Sequence, residues 1–456
     1  MTDERALLAR HQAVLPKWMA LYYDAPIQLT HGEGRHVWDA AGTKYLDWFG
    51  GILTTSTAHA LPEVVTAVQE QAARMLHSST LYLIEQQVEL AEEIARLSGI
   101  PDAKVFFTGS GSEANEAALL LATGRRKSNQ VLALRNSYHG RTFATVALTG
   151  NRGWRASQLS PITVNWVHGG YQYRSPWRTA SPDEFITHCV DDLRSVLQTT
   201  AAGDVAAMIF EPIQGVGGFA TPPDGLFAAF HEVLSAEGIL MIADEVQTGW
   251  GRTGEHFWGH QAHGIVPDVI TFAKGIGNGL SVGGVIASAE LMDSVTAGSI
   301  STFGGNPLAM AGSVANLKYI LEHDLQGNAG VQGTTIMQAL REHVTAGHLP
   351  MVAELRGKGL MFALELVEPG TDTPDAKAAG LMMEATKERG LLIGKGGLYG
   401  NVLRMAPPMT LTAEEAGEGA ALLLDALFAV QHELHGIAAA TTSEAATATP
   451  SVQVQA

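Results

Sequence analysis

Short, almost uninterrupted apolar runs recur through the middle of the chain, at residues 105–107, 131–134, 206–210, 239–243, 269–273 and 284–288. Several are separated by stretches with helical periodicity, near 113–124, 183–198 and 225–237. A strand without a polar face must be covered on both sides. Alternation with helices therefore implies an α/β protein with a mostly parallel sheet between helical layers. In such sheets, ligands bind beyond the carboxyl ends of the strands. A chain of 456 residues with 46% apolar and 16% charged residues can fill a core of this kind and has room for two or three lobes.

Two of these strand ends carry charge. The run 269–273 delivers Lys274 into Gly275-Ile276-Gly277-Asn278-Gly279, and the run 239–243 ends in Asp244-Glu245. A lysine emerging from a buried strand into glycine-rich backbone is poorly hydrated, which lowers its amine pKa and favours Schiff-base chemistry. An isolated charge in a core costs several kcal/mol or more unless it is partnered. Opposite charges at two strand ends suggest a cofactor held between them. A buried, satisfied carboxylate is the plainer reading of Asp244 taken alone.

A third strand end opens into Gly109-Ser110-Gly111-Ser112-Glu113-Ala114-Asn115-Glu116, where Ser110 and Glu113 match a helix-capping pattern. A glycine-rich turn into a helix exposes N–H groups and the positive end of the dipole, which suits a phosphate. A capped helix without a ligand fits the same residues. The motif is neither a P-loop nor a dinucleotide fingerprint. Tyr138-His139-Gly140-Arg141 follows the run 131–134, and Tyr138 could stack on a flat ligand or belong to the core. Arg404 stands alone in Val402-Leu403-Arg404-Met405-Ala406-Pro407-Pro408 and could bind a carboxylate in two-point fashion. A structural ion pair is the other reading of Arg404 and of Arg141.

The net charge, 29 − 46 = −17, argues against nucleic acid or anionic membrane as the main partner. No run reaches the roughly 18 apolar residues of a membrane span. Cys189 is the single cysteine, so a reducing compartment is expected. The opening segment reads as too short and polar for a signal peptide, and with no Arg-rich transit segment the expected location is cytoplasmic. His256, His260 and His263 lack an H-E-x-x-H arrangement, so no metal is expected. A hairpin is predicted around Ala41-Gly42-Thr43, helices over about 62–98, and a second α/β lobe in the C-terminal part, with 360–366 as its clearest strand. The tail from Ile437 lacks aromatics and periodicity and is predicted to be disordered.

Six motifs occur in the order seen in class-III aminotransferases, which are fold-type-I enzymes dependent on pyridoxal 5′-phosphate: residues 109–116, Tyr138-His139-Gly140-Arg141-Thr142, Glu211-Pro212-Ile213-Gln214-Gly215, Asp244-Glu245-Val246-Gln247-Thr248-Gly249, Lys274-Gly275 and Thr302-Phe303-Gly304-Gly305-Asn306-Pro307. The resemblance covers about residues 20–435. It implies a large domain with a mostly parallel seven-stranded sheet over residues 61–329. A smaller α/β domain would be built from residues 1–60 and 330–436, with a tail at 437–456. It also implies a homodimer, or a dimer of dimers, with active sites at the interface.

By position, the resemblance makes Lys274 the Schiff-base lysine and Asp244 the partner of the cofactor's ring nitrogen. Gln247 would contact the ring oxygen and Tyr138 would stack on the ring, with His139 and Val246 also at the cofactor. Ser110, Gly111 and Ser112 would cup the phosphate, joined by Thr302 of the partner subunit. Arg404 would take the substrate α-carboxylate, with Glu211 as its gate, the two able to pair with each other when a substrate lacks a carboxylate there.

Within the family, Glu211-Pro212-Ile213-Gln214-Gly215-Val216, His256-Phe257-Trp258-Gly259, Arg356-Gly357-Lys358-Gly359-Leu360-Met361 and Tyr171-Gln172-Tyr173-Arg174-Ser175-Pro176-Trp177 are similar to the alanine–glyoxylate aminotransferase 2 group. The similarity implies amino acid and 2-oxo acid substrates, with alanine or a related donor and glyoxylate or pyruvate as acceptor. Two features depart from it. Ala58-His59-Ala60-Leu61-Pro62 replaces the usual Gly-His-x-His/Asn-Pro, and Arg141 is similar to the arginine that receives a substrate carboxylate in 4-aminobutyrate and ornithine branches. An ω-amino acid donor is therefore the alternative. A lyase or aminomutase on the same scaffold is a further one.

Overall fold

The computed structural model describes residues 4–157 and 159–437. Each apolar run lies in one seven-stranded sheet: β1 (Ala103–Thr108), β2 (Gln130–Leu134), β3 (Thr163–Val167), β4 (Ala207–Phe210), β5 (Leu240–Asp244), β6 (Val269–Phe272) and β7 (Gly283–Ser288). The order is β1-β7-β6-β5-β4-β2-β3. Strands β2 to β6 pair in parallel, and β7 runs against both neighbours. Two reversals return β1 to the direction of β6. The loops leaving β1, β2, β4, β5 and β6 therefore emerge at one edge of the sheet.

The strand that the apolar runs miss is β3. It lies at the sheet edge, and its burial increases from exposed Thr163 to buried Val167. An edge strand needs less apolar sequence than a central one, so Asn165 and Trp166 are tolerated there.

Alternate residues of the central strands feed two cores. Leu132, Leu134, Met208, Phe210, Met241 and Ala243 face one side, where helices Pro182–Thr199 and Leu226–Ala236 supply Phe185, Cys189, Leu193, Phe227 and Phe230. Val131, Ala133, Ala207, Ile209, Ile242 and Val269 face the other side, against helix Gly111–Arg126. That helix presents Ala114, Ala118 and Ala122, spaced four residues apart, so its backbone can lie close to the sheet.

The N- and C-terminal parts of the chain share secondary structure. The predicted hairpin forms from His36–Asp39 and Lys44–Asp47, and Leu391–Leu392 adds in parallel to its second strand. A further sheet has the order β8-β9-β11-β10, from β8 (Val352–Lys358), β9 (Met361–Leu366), β10 (Gly394–Gly396) and β11 (Val402–Met405). The predicted helical stretch at 62–98 is two helices, Pro62–Arg74 and Glu85–Ser98, with Leu90 and Ile94 fully buried. Among the described residues no helix is long and apolar enough to cross a membrane. The tail prediction falls, apart from Ile437, outside the described residues.

A buried charge network ties β8 and β9 to the segment leading into the helix Pro182–Thr199. Glu365 accepts from Arg174 Nε (2.6 Å) and Arg356 Nη1 (2.8 Å), and Tyr171 donates its hydroxyl to the same carboxylate. Arg356 also donates twice to the Gly218 carbonyl, at 3.0 and 2.8 Å. The two guanidiniums hold the Glu365 carboxyl below its ordinary range despite burial that acts the other way.

Candidate active site

The loops at the carboxyl edge enclose a cleft of about 330 Å³ whose lining includes Ser110, Gly111, Ser112, Tyr138, His139, Arg141, Glu211, Asp244, Val246, Gln247 and Lys274. The sheet brings these scattered residues together because adjacent parallel strands end side by side.

Asp244 closes β5 and is buried. Its Oδ2 accepts from Asn115 Nδ2 at 2.7 Å and lies 2.8 Å from His139 Nδ1, while its Oδ1 accepts from the Val246 N–H at 3.2 Å. Asn115 is itself fixed. Its amide also donates to the His139 carbonyl (2.8 Å), and its oxygen accepts from Thr271 Oγ1 (2.6 Å). Glu245, the next residue, points to the opposite side of the chain and is consumed by structure, binding His260 Nδ1 and the His260 and Gly259 N–H groups. Strand alternation separates the two carboxylates.

Lys274 follows β6 with φ +48, a left-handed conformation that costs a non-glycine residue about 1–3 kcal/mol and is concentrated at functional sites. Burial lowers its amine pKa, opposed by the negative charges of Asp244 and Glu211. This is the environment predicted from the sequence.

The helix Gly111–Arg126 opens toward the cleft. Ser110 Oγ accepts from the Glu113 N–H (3.3 Å), and the Glu113 carboxylate takes the Gly109 N–H (3.0 Å). The N–H groups of Gly111 and Ser112 fall in the first turn, where no preceding helical carbonyl can reach them. Gly140, at φ +134, lets the next loop close on this turn, because a Cβ there would lie 2.6 Å from Ser112 Oγ. Ser112 Oγ accepts from the Arg141 N–H at 3.2 Å. The Arg141 side chain is exposed at the cleft and forms no ion pair among the described residues.

Glu211 and Arg404 each bind backbone rather than one another. Glu211 accepts the Tyr138 N–H (2.9 Å) and the Gly215 N–H (2.8 Å). Burial raises its pKa most, to about 7, with the negative charge of Asp244 adding to the rise and His139 opposing it. Arg404 donates to the carbonyls of Gly215 (3.1 Å) and Lys395 (3.0 Å), and Nη2 lies 3.4 Å from the Tyr22 hydroxyl. Glu211 and Arg404 do not pair with each other; both grip the backbone of Gly215 instead. A Cβ on Gly215 would lie 2.3 Å from Gln247 Oε1, so a larger residue there would push the Gln247 amide aside.

Thr302 is exposed and does not line the cleft of its own chain. The sequence pattern gave no role to Asn115, Trp154 or Tyr22. Asn115 lies one helical turn beyond Gly111, on the same face, and that spacing was the available signal. Trp154 sits in a one-turn helix and Tyr22 in an irregular segment, and no local pattern reveals the approach of either to the site.

Comparison with known proteins identifies the family of the chain. The family Aminotransferase class-III matches residues 19–427. The chain is 37% identical over 414 residues, covering 90% of itself and 84% of the relative, to alanine–glyoxylate aminotransferase 2 homolog 2, mitochondrial, of Arabidopsis thaliana. It is 36% identical to the 5-aminovalerate aminotransferase DavT of Pseudomonas aeruginosa, covering 92% of this chain and 97% of that one. Among solved structures, an (S)-enantioselective omega-transaminase from Thermomicrobium roseum superposes with a TM-score of 0.86 at 32% identity, covering 94% of this chain and 99% of that one. The chain belongs to the class-III aminotransferases, a family dependent on pyridoxal 5′-phosphate.

Proposed function

We propose that this aminotransferase moves the amino group of alanine, or a related donor, to glyoxylate or pyruvate. The observation that carries the assignment of its site is the convergence of Lys274 and Asp244, from adjacent strand ends, on a cleft that also receives an open helix N-terminus. The side chains fit pyridoxal phosphate on their own chemistry. His139 Nε2 and Gln247 Oε1 are buried polar atoms without partners among the described residues, and the N–H groups of Gly111 and Ser112 suit a phosphate.

In this reading Gly111 and Ser112, with Ser110 beside them and Thr302 of the partner subunit, hold the phosphate. Tyr138 and Val246 would flank the cofactor's ring, and Gln247 would meet its oxygen. Asp244, braced by Asn115 and His139, would keep a proton on the ring nitrogen. When bound, the cofactor supplies an aldehyde that takes up amino groups and a ring that draws electrons from the substrate α-carbon. Lys274 Nζ, made less basic by burial, would take and return the proton at that carbon. Arg404 orients the substrate carboxylate once it exchanges a backbone carbonyl for it, and Glu211 secures Gly215 meanwhile.

A homodimer is part of the proposal. Leu83 is fully exposed and Leu81, Tyr82 and Phe303 are 69–73% exposed; Phe303 adjoins Thr302 and rests against His77, with ring centroids 5.3 Å apart. Apolar side chains of this size are expected to be covered by a second copy. A single, buried cysteine favours a reducing compartment, and the proposal places the enzyme in the cytoplasm.

The test is a donor–acceptor panel on purified protein, with a donor-only arm that reports lyase activity. Alanine plus glyoxylate should be among the fastest pairs, and Lys274→Ala should abolish both turnover and the visible colour of lysine-bound cofactor. Appreciable transamination by that variant would refute the site. The Arg141 guanidinium, free of ion pairs among the described residues, supports a second reading, an ω-amino donor. That reading predicts faster turnover with 4-aminobutyrate plus 2-oxoglutarate, and selective loss of that activity in Arg141→Ala.

A further inference from the structure

Trp154 is a large aromatic residue left half exposed, at 50%, yet it lines the cleft. It stands edge-on to Tyr138, with ring centroids 5.8 Å apart and planes at 78°. Such edge-to-face contacts are attractive beyond their buried area.

The segment carrying Trp154 is pinned at its base. Asn151, buried, caps the one-turn helix Arg152–Trp154 by accepting the Gly153 N–H (3.0 Å), and it donates to Asn136 Oδ1 (3.2 Å). Asn136 donates in turn to the Gly217 carbonyl at 2.9 Å. The Gly150 N–H meets the Ser137 carbonyl at 3.0 Å. A Cβ on Gly150 would lie 2.6 Å from the Leu134 carbonyl oxygen, so this anchor is tight. The residues gripped, 134–137, lead directly into Tyr138. One scaffold therefore sets both rings, and the indole is held by the turn at its foot rather than by burial.

We propose that Trp154 is a positioning and specificity residue. Its indole edge fixes the tilt of the Tyr138 ring, and its exposed face walls the outer side of the cleft against bulky donor side chains. The proposal rests on the reading of Tyr138 as the ring that stacks on the cofactor. It goes beyond that reading in assigning donor size selection to a residue outside the family motifs identified in the sequence.

The test compares wild type, Trp154→Phe and Trp154→Ala. Cofactor affinity is measured by equilibrium titration of apoenzyme with pyridoxal phosphate, read by visible absorbance. Donor selectivity is measured as kcat/KM for alanine against 1-phenylethylamine. Removing the indole frees the Tyr138 ring to tilt, and the full worth of one edge-to-face contact, roughly two- to tenfold in an equilibrium constant, is the ceiling on what this costs in cofactor binding. Trp154→Ala should bind the cofactor measurably weaker, within that ceiling, and shift the selectivity ratio toward the bulky amine at least tenfold, through KM. Trp154→Phe should retain most of the affinity. Unchanged affinity and an unchanged ratio in Trp154→Ala would overturn the proposal, as would Trp154→Phe weakening binding as much as Trp154→Ala. Failure of wild type to take up the cofactor would instead overturn the underlying reading of the site.

Discussion

Replacing Asn115 with aspartate tests how much of this site depends on one carboxylate charge. The substitution is nearly isosteric. It puts an oxygen where an amide nitrogen now sits 2.7 Å from Asp244 Oδ2, in a buried setting. Two unit charges at that separation repel by about 6 kcal/mol at an effective dielectric constant of about 20, or about four pKa units. The introduced carboxyl and Asp244 would therefore share a proton at neutral pH, and the pair would lose it only at about pH 8. The His139 carbonyl also loses its donor, at a cost of about 1–3 kcal/mol.

The sign of the stability effect follows from proton binding. The folded variant holds a proton that its unfolded chain releases at about pH 4, so its stability relative to wild type falls as pH rises from about 4 toward 8. Each pH unit in that window removes about 1.4 kcal/mol. Activity should move the opposite way. The singly protonated pair keeps one negative charge but spreads it over two carboxyls, so Asp244 itself is ionised only about half the time. Turnover should drop by at least about twofold at about pH 7 and partly recover by about pH 9 as Asp244 regains its full charge. Thermal melts of Asn115→Asp and wild type from about pH 5 to 8, with kcat measured from about pH 6.5 to 9, decide the matter. A melting deficit independent of pH, together with wild-type turnover at neutral pH, would show that Asn115 does not bear on the Asp244 charge.

Glu211→Gln should remove a pH dependence. With the Glu211 pKa raised to about 7 in the fold, wild type loses this contribution as pH rises from about 4.5 to 7, so the difference in melting temperature between variant and wild type should change across that range; a constant difference would refute it. The variant should also bind substrate carboxylates less well, because a glutamine amide nitrogen cannot accept either the Tyr138 or the Gly215 N–H, and an unchanged KM for alanine would count against that link. Glu365→Ala removes the carboxylate that joins Arg174 to Arg356, leaving Arg356 its pair with Glu354, and should cost about 2–3 kcal/mol in urea unfolding. A loss under about 1 kcal/mol would mean that Arg174 and Arg356 find other partners.

The seven-stranded sheet was legible wherever burial left a local trace. Strands β4, β5 and β6 are buried at nearly every position, and that demand writes itself into sequence as unbroken apolar runs. Strand β3 carried less of that trace because an edge position relaxes the demand. Asp244 and Lys274 could be singled out for the same reason, as charges directly abutting apolar runs. Glu211 and Arg404 were legible as site candidates, but not their present hold on Gly215, since a salt bridge and two backbone grips use the same residues in the same order.

By itself, the order of strands, helices and glycine turns determined an α/β sheet with chemistry at its carboxyl edge, because burial and backbone conformation act over a few neighbouring residues. Only the tertiary structure decided that Asn115 would brace Asp244 across 129 positions, that Trp154 would stand against Tyr138, and that Gly215 would lie between an acid and an arginine. Those contacts depend on where separate loops meet at the sheet edge, and no periodicity within any one segment encodes that meeting.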